Sequence, residues 1–201
     1  MKAKLRAKRI LEILRKNYPD ARMSSNFSNN FELLIAVMLS AQTTDKQVNK
    51  VAPRLFKKYE TVKEFANADI KSLEKDIKSI GLYKTKAKNV KRTAQIILRK
   101  HNGKVPNSMI GLLELPGIGR KTANIVLSHA FNKSEGIAVD THVKRLAYNF
   151  GLTKEKNPLK IERDLMKLFD RKDWMEITHL FIAHGRKKDK EVDLLLKKIK
   201  V

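Results

Sequence analysis

Apolar residues recur at helical spacing along most of the chain, and no segment alternates convincingly with the period of two that a half-buried strand requires. The run from Phe31 to Leu39 is apolar almost all round, which is typical of a buried central helix. Two amphipathic stripes run along Ala87, Val90, Ala94 and Ile97 and along Ala123, Val126, Leu127 and Ala130. The sequence therefore predicts an all-α fold with about ten to twelve helices.

Two helix starts carry capping residues. Asn157 precedes Pro158, and this pair combines an N-cap with a proline in the first turn. Asp173 is followed three residues later by Glu176, which is the spacing of a capping box. We therefore expect a helix to begin at each place, the second with a capping box.

The charge balance restricts the partners of the chain. Of its 201 residues, 44 are Lys or Arg and 21 are Asp or Glu, which gives a formal net charge of +23. Residues 84–104 contain eight Lys or Arg and no acid, and residues 2–16 contain seven against one Glu. Such a surface attracts polyanions, and nucleic acid is the leading candidate. For any single lysine, a solvated helix face remains the better interpretation.

An anionic membrane surface is the other candidate partner. The apolar positions of the N-terminal segment fit burial in a core as well as contact with lipid, and they are Leu5, Ile10, Leu11, Ile13 and Leu14. The longest strongly apolar run is too short to cross a bilayer, and the basic N-terminal segment lacks the features of a secretory signal. We therefore expect a soluble, intracellular protein with no membrane partner.

The segment 115–123 reads LPGIGRKTA. Its proline would stop a short preceding helix, its two glycines make a tight turn, and an amphipathic helix follows at once. Gly117 and Gly119 lack Cβ, so that a phosphate can approach the backbone and the N–H groups that open the next helix. Arg120 and Lys121 add positive charge there. This helix–hairpin–helix pattern indicates binding to a DNA backbone without reading of sequence, although a Pro-Gly-x-Gly segment alone is often only a turn.

A carboxylate stands at the end of the apolar run 137–139, just before another expected helix. Asp140 is well placed to cap that helix, and spacing alone does not separate a cap from a catalytic carboxylate. If Asp140 acts together with a lysine at the start of another helix, it is a catalytic carboxylate. The positive end of a helix dipole, with other cations nearby, favours the neutral amine that a nucleophilic lysine needs.

At these residues the sequence resembles the endonuclease III family of helix–hairpin–helix DNA glycosylases. The segments that carry the resemblance, in the family's order and close to its spacing, are residues 39–45 (LSAQTTD), 81–83 (GLY) with Lys86-Ala87, 115–123, 139–142 (VDTH) with Arg145, and 184–186 (HGR). The resemblance implies two α-helical domains with a cleft between them. Residues 22–134 would form a central domain with the hairpin, and residues 1–21 and 135–201 would form the second domain from both chain ends.

The resemblance also implies roles for individual residues. Lys121 matches the catalytic lysine, which attacks C1′ of a flipped nucleotide, expels the base and forms a Schiff base that permits β-elimination. Asp140 matches the essential aspartate, whose charge can stabilise a cationic sugar. Gln42 and Leu82 match the side chains that fill the gap in the duplex, although the residues alone favour a helix-terminal cap for Gln42 and a core position for Leu82. The expected DNA-binding set is Gln42, Leu82, Gly117, Gly119, Arg120 and Lys121.

Two histidines, His142 and His184, also match family positions. A histidine on an apolar helix face, as His184 is beside Ile177 and Leu180, is more often a buried structural residue than a catalyst. Both histidines are therefore left out of the expected catalytic set.

The sequence departs from the family pattern after the HGR segment. Family members usually continue with four cysteines that hold a [4Fe–4S] cluster, whereas this sequence contains no cysteine, which also excludes disulfides and a thiol nucleophile. We expect no iron–sulfur cluster, no metal site and no other cofactor, while the sequence leaves open a monovalent cation in the hairpin. The tail predicts a short amphipathic helix with four apolar residues inward, which are Val192, Leu195, Leu196 and Ile199.

Three functions fit these features. Lys121 and Asp140 together favour a bifunctional DNA glycosylase and AP lyase of base excision repair, which removes oxidised pyrimidines from double-stranded DNA and cleaves 3′ of the abasic site. A monofunctional mismatch glycosylase is disfavoured by Lys121, because those relatives usually carry Tyr or Ser there. A non-catalytic helix–hairpin–helix protein is the third function, and the missing cluster lends it weight. The expected protein is a cytoplasmic, nucleoid-associated monomer whose partner is double-stranded DNA with damaged bases or abasic sites.

Overall fold

A computed structural model describes residues 2–22 and 27–199, and every regular element in those ranges is helical. The helices are α1 (Lys2–Asn17), α2 (Asn30–Ser40), α3 (Asp45–Lys58), α4 (Val62–Asn67), α5 (Ile70–Asp76), α6 (Tyr83–His101), α7 (Met109–Leu113), α8 (Arg120–Phe131), α9 (Thr141–Asn149), α10 (Pro158–Leu168), a short 3₁₀ helix (Arg171–Asp173), α11 (Trp174–Lys187) and α12 (Lys190–Lys197). The predicted all-α class is confirmed. Within these described ranges, no helix is both long enough and apolar enough to cross a membrane.

The chain divides into two compact units. One unit, Ser24–Lys133, contains α2 to α8. The other combines Met1–Met23 with Ser134–Val201 and contains α1 and α9 to α12. Each unit has a hydrophobic core of its own.

Helix α2 forms the centre of the Ser24–Lys133 unit. The side chains from Leu33 to Leu39 are all buried, which confirms the prediction of a central helix. Asn29 caps the helix, since its Oδ1 accepts the N–H groups of Phe31 and Glu32 at 3.0 and 2.9 Å. The apolar stripe predicted on α6 is buried against the same core, and so is most of the stripe on α8.

The second unit packs α1 against α10, α11 and α12, and α9 against α10 and α11. Helix α12 contributes Val192 and Leu196 to this core, as predicted. The prediction was wrong for Leu195, which is 49% exposed, because a helix this short buries only the face that carries the i and i+4 positions. Leu5, in the first turns of α1, is likewise exposed, and the buried face of that helix begins at Ala7.

The two predicted helix starts have different outcomes. Asn157 caps α10, with its Oδ1 accepting the N–H of Leu159 at 2.9 Å. Helix α11 begins at Trp174 as expected, but the capping box was a wrong prediction, because the side chain of Asp173 makes no capping hydrogen bond. The carboxylates of Asp173 and Glu176 instead accept from Arg15 of α1, at 2.7 and 2.9 Å. Charge-assisted bonds to a distant arginine replace the local cap.

Candidate nucleic-acid interface and catalytic residues

Helices α7 and α8 form the predicted hairpin, and the turn between them is anchored by its apolar residues. Leu115 and Ile118 are buried in the core, and the N–H of Ile118 donates to the carbonyl of Leu115 at 3.1 Å. Gly117 has a φ of +79°, and a Cβ there would lie 2.7 Å from Nδ2 of Asn89. The turn therefore requires glycine at position 117, both for its backbone conformation and for the close approach of α6.

Gly119 occupies the N-cap position of α8, and its role differs from that of Gly117. Its backbone is extended, and a Cβ built there would meet no atom within 4 Å among the described residues. Because glycine has no side chain, the N-cap residue accepts no hydrogen bond from the N–H groups in the first turn of α8. The hairpin thus presents the positive end of a twelve-residue helix to open space, which suits an approaching phosphate.

Lys121 is the second residue of α8 and has an exposed side chain, while Arg120 beside it is partly buried. Helix geometry places both residues in the first turn, next to the backbone N–H groups. The structure therefore places Gly119, Arg120 and Lys121 at one helix end.

Gln42 and Leu82 lie in two loops of the same unit, and both have left-handed backbone conformations, with φ values of 54° and 59°. Leu82 is 60% exposed, so that the core position favoured by the residues alone is wrong. The loops are in contact, since a Cβ at Gly81 would lie 3.2 Å from the carbonyl oxygen of Gln42. Left-handed conformations of non-glycine residues are strained, and they concentrate at functional sites.

A cavity of about 140 Å³ joins these loops to the hairpin. Its lining consists of Met38, Ala41, Gln42, Leu82, Thr85, Lys86, Asn89 and Gly117. Three members of the expected DNA-binding set therefore surround one small opening. Lys86, which the sequence placed among the basic residues of 84–104, is 7% exposed and is not a surface residue.

A larger cavity of about 920 Å³ lies elsewhere in this unit. Its lining includes Asn29 and Phe31 at the start of α2, whereas Gln42 follows the end of that helix. Its lining contains no member of the expected catalytic or DNA-binding sets.

Asp140 belongs to the other unit and is the N-cap of α9. Its Oδ1 accepts the N–H of Val143 at 2.8 Å, and the buried residues Ile137 and Ala138 anchor the extended segment before it. Asp140 is itself only partly buried. The cap interpretation is confirmed, and the carboxylate retains a second oxygen for other interactions.

The VDTH and HGR segments pack against each other within this unit. Gly185 lies against the ring of His142 so closely that a side chain at position 185 would collide with it. Arg145 donates to the carbonyl of Gly185 at 3.4 Å. His184 is buried and hydrogen-bonded to Tyr18 and Asp193, which confirms its prediction as a structural residue.

The residues after Arg186 do not fit an iron–sulfur cluster. A cluster needs cysteine thiolates, and the sequence has none. Across residues 2–22 and 27–199, no three His, Cys, Asp or Glu side chains are grouped so that they could hold a metal ion. The segment that follows Arg186 is instead the protein-packed helix α12.

Comparisons with known proteins agree with this geometry. Residues 35–171 match the family described as HhH-GPD superfamily base excision DNA repair protein. Endonuclease III from Synechocystis sp. is 48% identical, over 91% of this chain and 84% of that protein. Endonuclease III from Bacillus subtilis is 43% identical, over 84% of this chain and 77% of that protein.

The fold is similar to that of a trapped endonuclease III–DNA covalent intermediate, in an estranged-adenine complex. The TM-score is 0.88 at 43% identity, over 92% of this chain and 86% of that chain. Both the family match and the identities extend over most of the sequence. The chain therefore belongs to the HhH-GPD superfamily of base excision DNA repair proteins and, within it, to the endonuclease III family.

Proposed function

We propose that this chain removes oxidised pyrimidines from double-stranded DNA, with Lys121 as the nucleophile and Asp140 as its electrostatic partner. As a member of the endonuclease III family, it is a DNA glycosylase with AP lyase activity in base excision repair. The observation that carries the residue assignment is the position of Lys121. Its exposed amine lies in the first turn of α8, directly after the open helix end at Gly119.

The chemistry begins when the lone pair of Lys121 Nζ attacks C1′ of an extruded nucleotide. The N-glycosidic bond breaks, and its electron pair leaves with the base, which takes up a proton. The new C1′–N bond becomes a Schiff base as the sugar ring opens and the ring oxygen is protonated. Loss of a proton from C2′ then forms the C2′=C3′ double bond and expels the 3′ phosphate.

Asp140 acts on the charge that this sequence creates. A carboxylate near the sugar stabilises the cationic character that develops as the base departs. Its oxygens can also assist the proton transfers of ring opening and elimination. The cap bond to Val143 holds the carboxylate in place through one oxygen.

DNA is held by the hairpin and by the two loops. The open N–H groups at the start of α8, with Arg120 beside them, bind backbone phosphate without reading sequence. Gln42 and Leu82 fill the gap that base extrusion leaves and so offset part of the cost of unstacking. We propose that the enzyme acts as a monomer on nucleoid DNA.

Borohydride trapping on defined duplexes tests the proposal. The wild-type chain should form a covalent complex with duplexes that contain thymine glycol, dihydrouracil or an abasic site. Lys121→Gln should abolish trapping and keep most of the affinity for abasic DNA, because the backbone grip is unchanged. Full trapping by Lys121→Gln would assign the nucleophile to another amine. Excision without trapping would indicate a monofunctional glycosylase, and binding without either would indicate a non-catalytic protein.

A further inference from the structure

Lys86 is a buried lysine whose ammonium group is surrounded by oxygen atoms from the last turn of α2 and from the loop that follows it. Its Nζ donates to the carbonyl of Leu39 at 2.8 Å, to the carbonyl of Ala41 at 2.5 Å and to Oγ1 of Thr43 at 2.9 Å. Burial lowers the pKa of Lys86 below its usual range. Three oxygen acceptors satisfy the three N–H donors of the ammonium, so that a charged lysine fits this buried position.

Two of the three acceptors, on Ala41 and Thr43, flank Gln42, and the third, on Leu39, lies in the last turn of α2. Helix α2 ends at Ser40, and its last carbonyls carry the partial negative charge of the helix C-terminus. Lys86 places a cation at this helix end and donates to one of those carbonyls, that of Leu39. Gln42 is therefore flanked by two contacts to Lys86, one at the carbonyl of the peptide before it and one at the side chain of the residue after it, while its own side chain stays exposed.

Lys86 is also tied to the second loop. Its backbone N–H donates to the carbonyl of Leu82 at 3.0 Å, which closes the first turn of α6. Leu82 is the N-cap of α6, and no side chain there caps the helix. One residue therefore contacts both loops, through its side chain on the Gln42 side and through its main chain on the Leu82 side.

Both loops adopt conformations that they would not hold by themselves. Gln42 and Leu82 are non-glycine residues with positive φ, and such conformations persist only where surrounding contacts impose them. Gly81 permits the loops to touch, since a Cβ there would already crowd the carbonyl of Gln42 at 3.2 Å. The ammonium of Lys86 is the charged contact that holds the Gln42 loop against α6.

We propose that Lys86 is a positioning residue, which holds Gln42 and Leu82 together so that both side chains enter the duplex as one preformed unit. This inference rests on the proposed gap-filling role of those two residues. Because Lys86 is only 7% exposed, we expect it to act through these two residues and not by its own contact with DNA. Its effect is on recognition of the distorted duplex, and it has no part in the grip on phosphates.

Lys86→Met is the direct test, because it removes the charge and keeps most of the volume. Lys91→Met is its matched control, since Lys91 lies on the same helix and donates to a single helix-end carbonyl, that of Ala68, at 2.7 Å. The measurement is the ratio of Kd for an intact duplex to Kd for a duplex with a stable tetrahydrofuran abasic-site analogue. Lys86→Met should reduce this ratio about tenfold or more, as small displacements of positioned groups do, and Lys91→Met should leave it unchanged.

A double-mutant cycle separates positioning from general destabilisation. In a background that carries Gln42→Ala and Leu82→Ala, Lys86→Met should have no further effect on the ratio, because the groups it positions are gone. The slope of log Kd against log salt should also stay unchanged in Lys86→Met, whereas loss of a phosphate contact would flatten it by about one unit. Additive losses in the cycle, or a flattened slope, would overturn the proposal.

Thr43→Val provides a second variant if Lys86→Met does not fold. It removes one of the three acceptors from the loop side and retains the shape of the side chain. It should reduce the same ratio by a smaller factor, and an unchanged ratio would overturn the proposal. If the wild-type chain forms the trapped complex but Lys86→Met and Thr43→Val leave the Kd ratio unchanged, as Lys91→Met does, the positioning role is wrong and the proposed function stands. A wild-type chain with no trapping and no preference for the abasic duplex would overturn the proposed function as well.

Discussion

His184 and Asp193 join the last helix to the rest of its unit, with Nε2 of the imidazole 3.0 Å from the Oδ1 of the carboxylate. On the other side of the ring, Nδ1 lies 2.8 Å from the hydroxyl of Tyr18. A neutral imidazole that accepts from Tyr18 and donates to Asp193 satisfies all three groups at once. These hydrogen bonds connect the residue that follows α1 with α11 and α12, and the imidazole between them is buried.

Tyr18→Phe should lower the free energy of unfolding by about 1–3 kcal/mol, because it leaves a buried imidazole nitrogen without a donor. Urea unfolding at neutral pH measures the loss. The matched control is Tyr148→Phe, since Tyr148 is 55% exposed. Equal stability of the two variants would show that the hydrogen bond from Tyr18 contributes nothing.

Tyr18 also makes the free energy of unfolding depend on pH in the alkaline range. Burial and the nearby carboxylates of Asp189 and Asp193 raise the pKa of Tyr18 from about 10 to about 12. Because the unfolded chain ionises first, the stabilisation is complete below pH 10 and is lost as the pH rises from 10 towards 12. Wild type should therefore lose more stability than Tyr18→Phe between pH 9 and 11. Parallel pH profiles for the two proteins would contradict the shift.

Gly119→Ser should separate stability from DNA binding. Serine is a good N-cap residue, and its hydroxyl would accept from the first N–H groups of α8, which should raise stability by a few tenths of a kcal/mol. Those N–H groups are the ones proposed to bind phosphate, so that affinity for DNA should fall by about tenfold, equivalent to about 1.4 kcal/mol. Thermal unfolding and fluorescence anisotropy measure the two effects. Unchanged affinity would show that phosphate binds elsewhere.

Gly117→Ala should lower stability, with a smaller effect on DNA affinity than Gly119→Ser has. The positive φ and the contact with Asn89 disfavour a Cβ, and the backbone term alone costs about 1–2 kcal/mol. The variant should melt at a lower temperature, and its affinity for DNA at a temperature where it is folded should change less than that of Gly119→Ser. A stable Gly117→Ala would mean that the turn can relax.

Local signals in the sequence accounted for the helices and for the hairpin. The stripe on α6, the run in α2 and the glycine required at position 117 all depend on residues close to one another along the chain. Periodicity and backbone restrictions act over one or two turns, and they can therefore be identified without a structure.

Features that depend on distant residues were missed. The pairing of Arg15 with Asp173 bridges 158 positions, and it removed a capping box that local spacing supported. The family resemblance included Lys86, but the sequence did not show that it is buried or what it binds, because only the folded end of α2 and the loop after it gather its three acceptors. Leu82 is exposed and has a left-handed conformation before α6, which residue type alone disfavours.

The absence of cysteine predicts that the purified protein is colourless and free of iron–sulfur cluster. Iron analysis measures this, and stoichiometric iron would contradict it.

Helix α12 packs its Val192 and Leu196 into the core, so that Leu196→Ala should lower the free energy of unfolding by about 2–4 kcal/mol, whereas Leu195→Ala should change it by less than about 1 kcal/mol. Denaturant unfolding measures both changes, and equal losses in the two variants would contradict the packing of this helix.

Substitutions of Asp140 can separate its role as the N-cap of α9 from its proposed electrostatic role in the reaction. Its carboxylate caps α9 through the N–H of Val143, and the proposed mechanism uses its charge. Asp140→Asn keeps an oxygen for the cap and removes the charge, because asparagine caps helices as well as aspartate does. Its melting temperature should match that of wild type, while single-turnover excision of thymine glycol should be slower by about two orders of magnitude or more.

Asp140→Ala completes the comparison, because it removes both the cap and the charge. It should lose about 1 kcal/mol of stability and be as slow in excision as Asp140→Asn. Asp140→Ser retains a good N-cap without the charge, and it should be stable and slow. If Asp140→Asn and Asp140→Ser both excise at the wild-type rate and only Asp140→Ala is impaired, through instability, then Asp140 is a helix cap and the electrostatic role belongs to another residue.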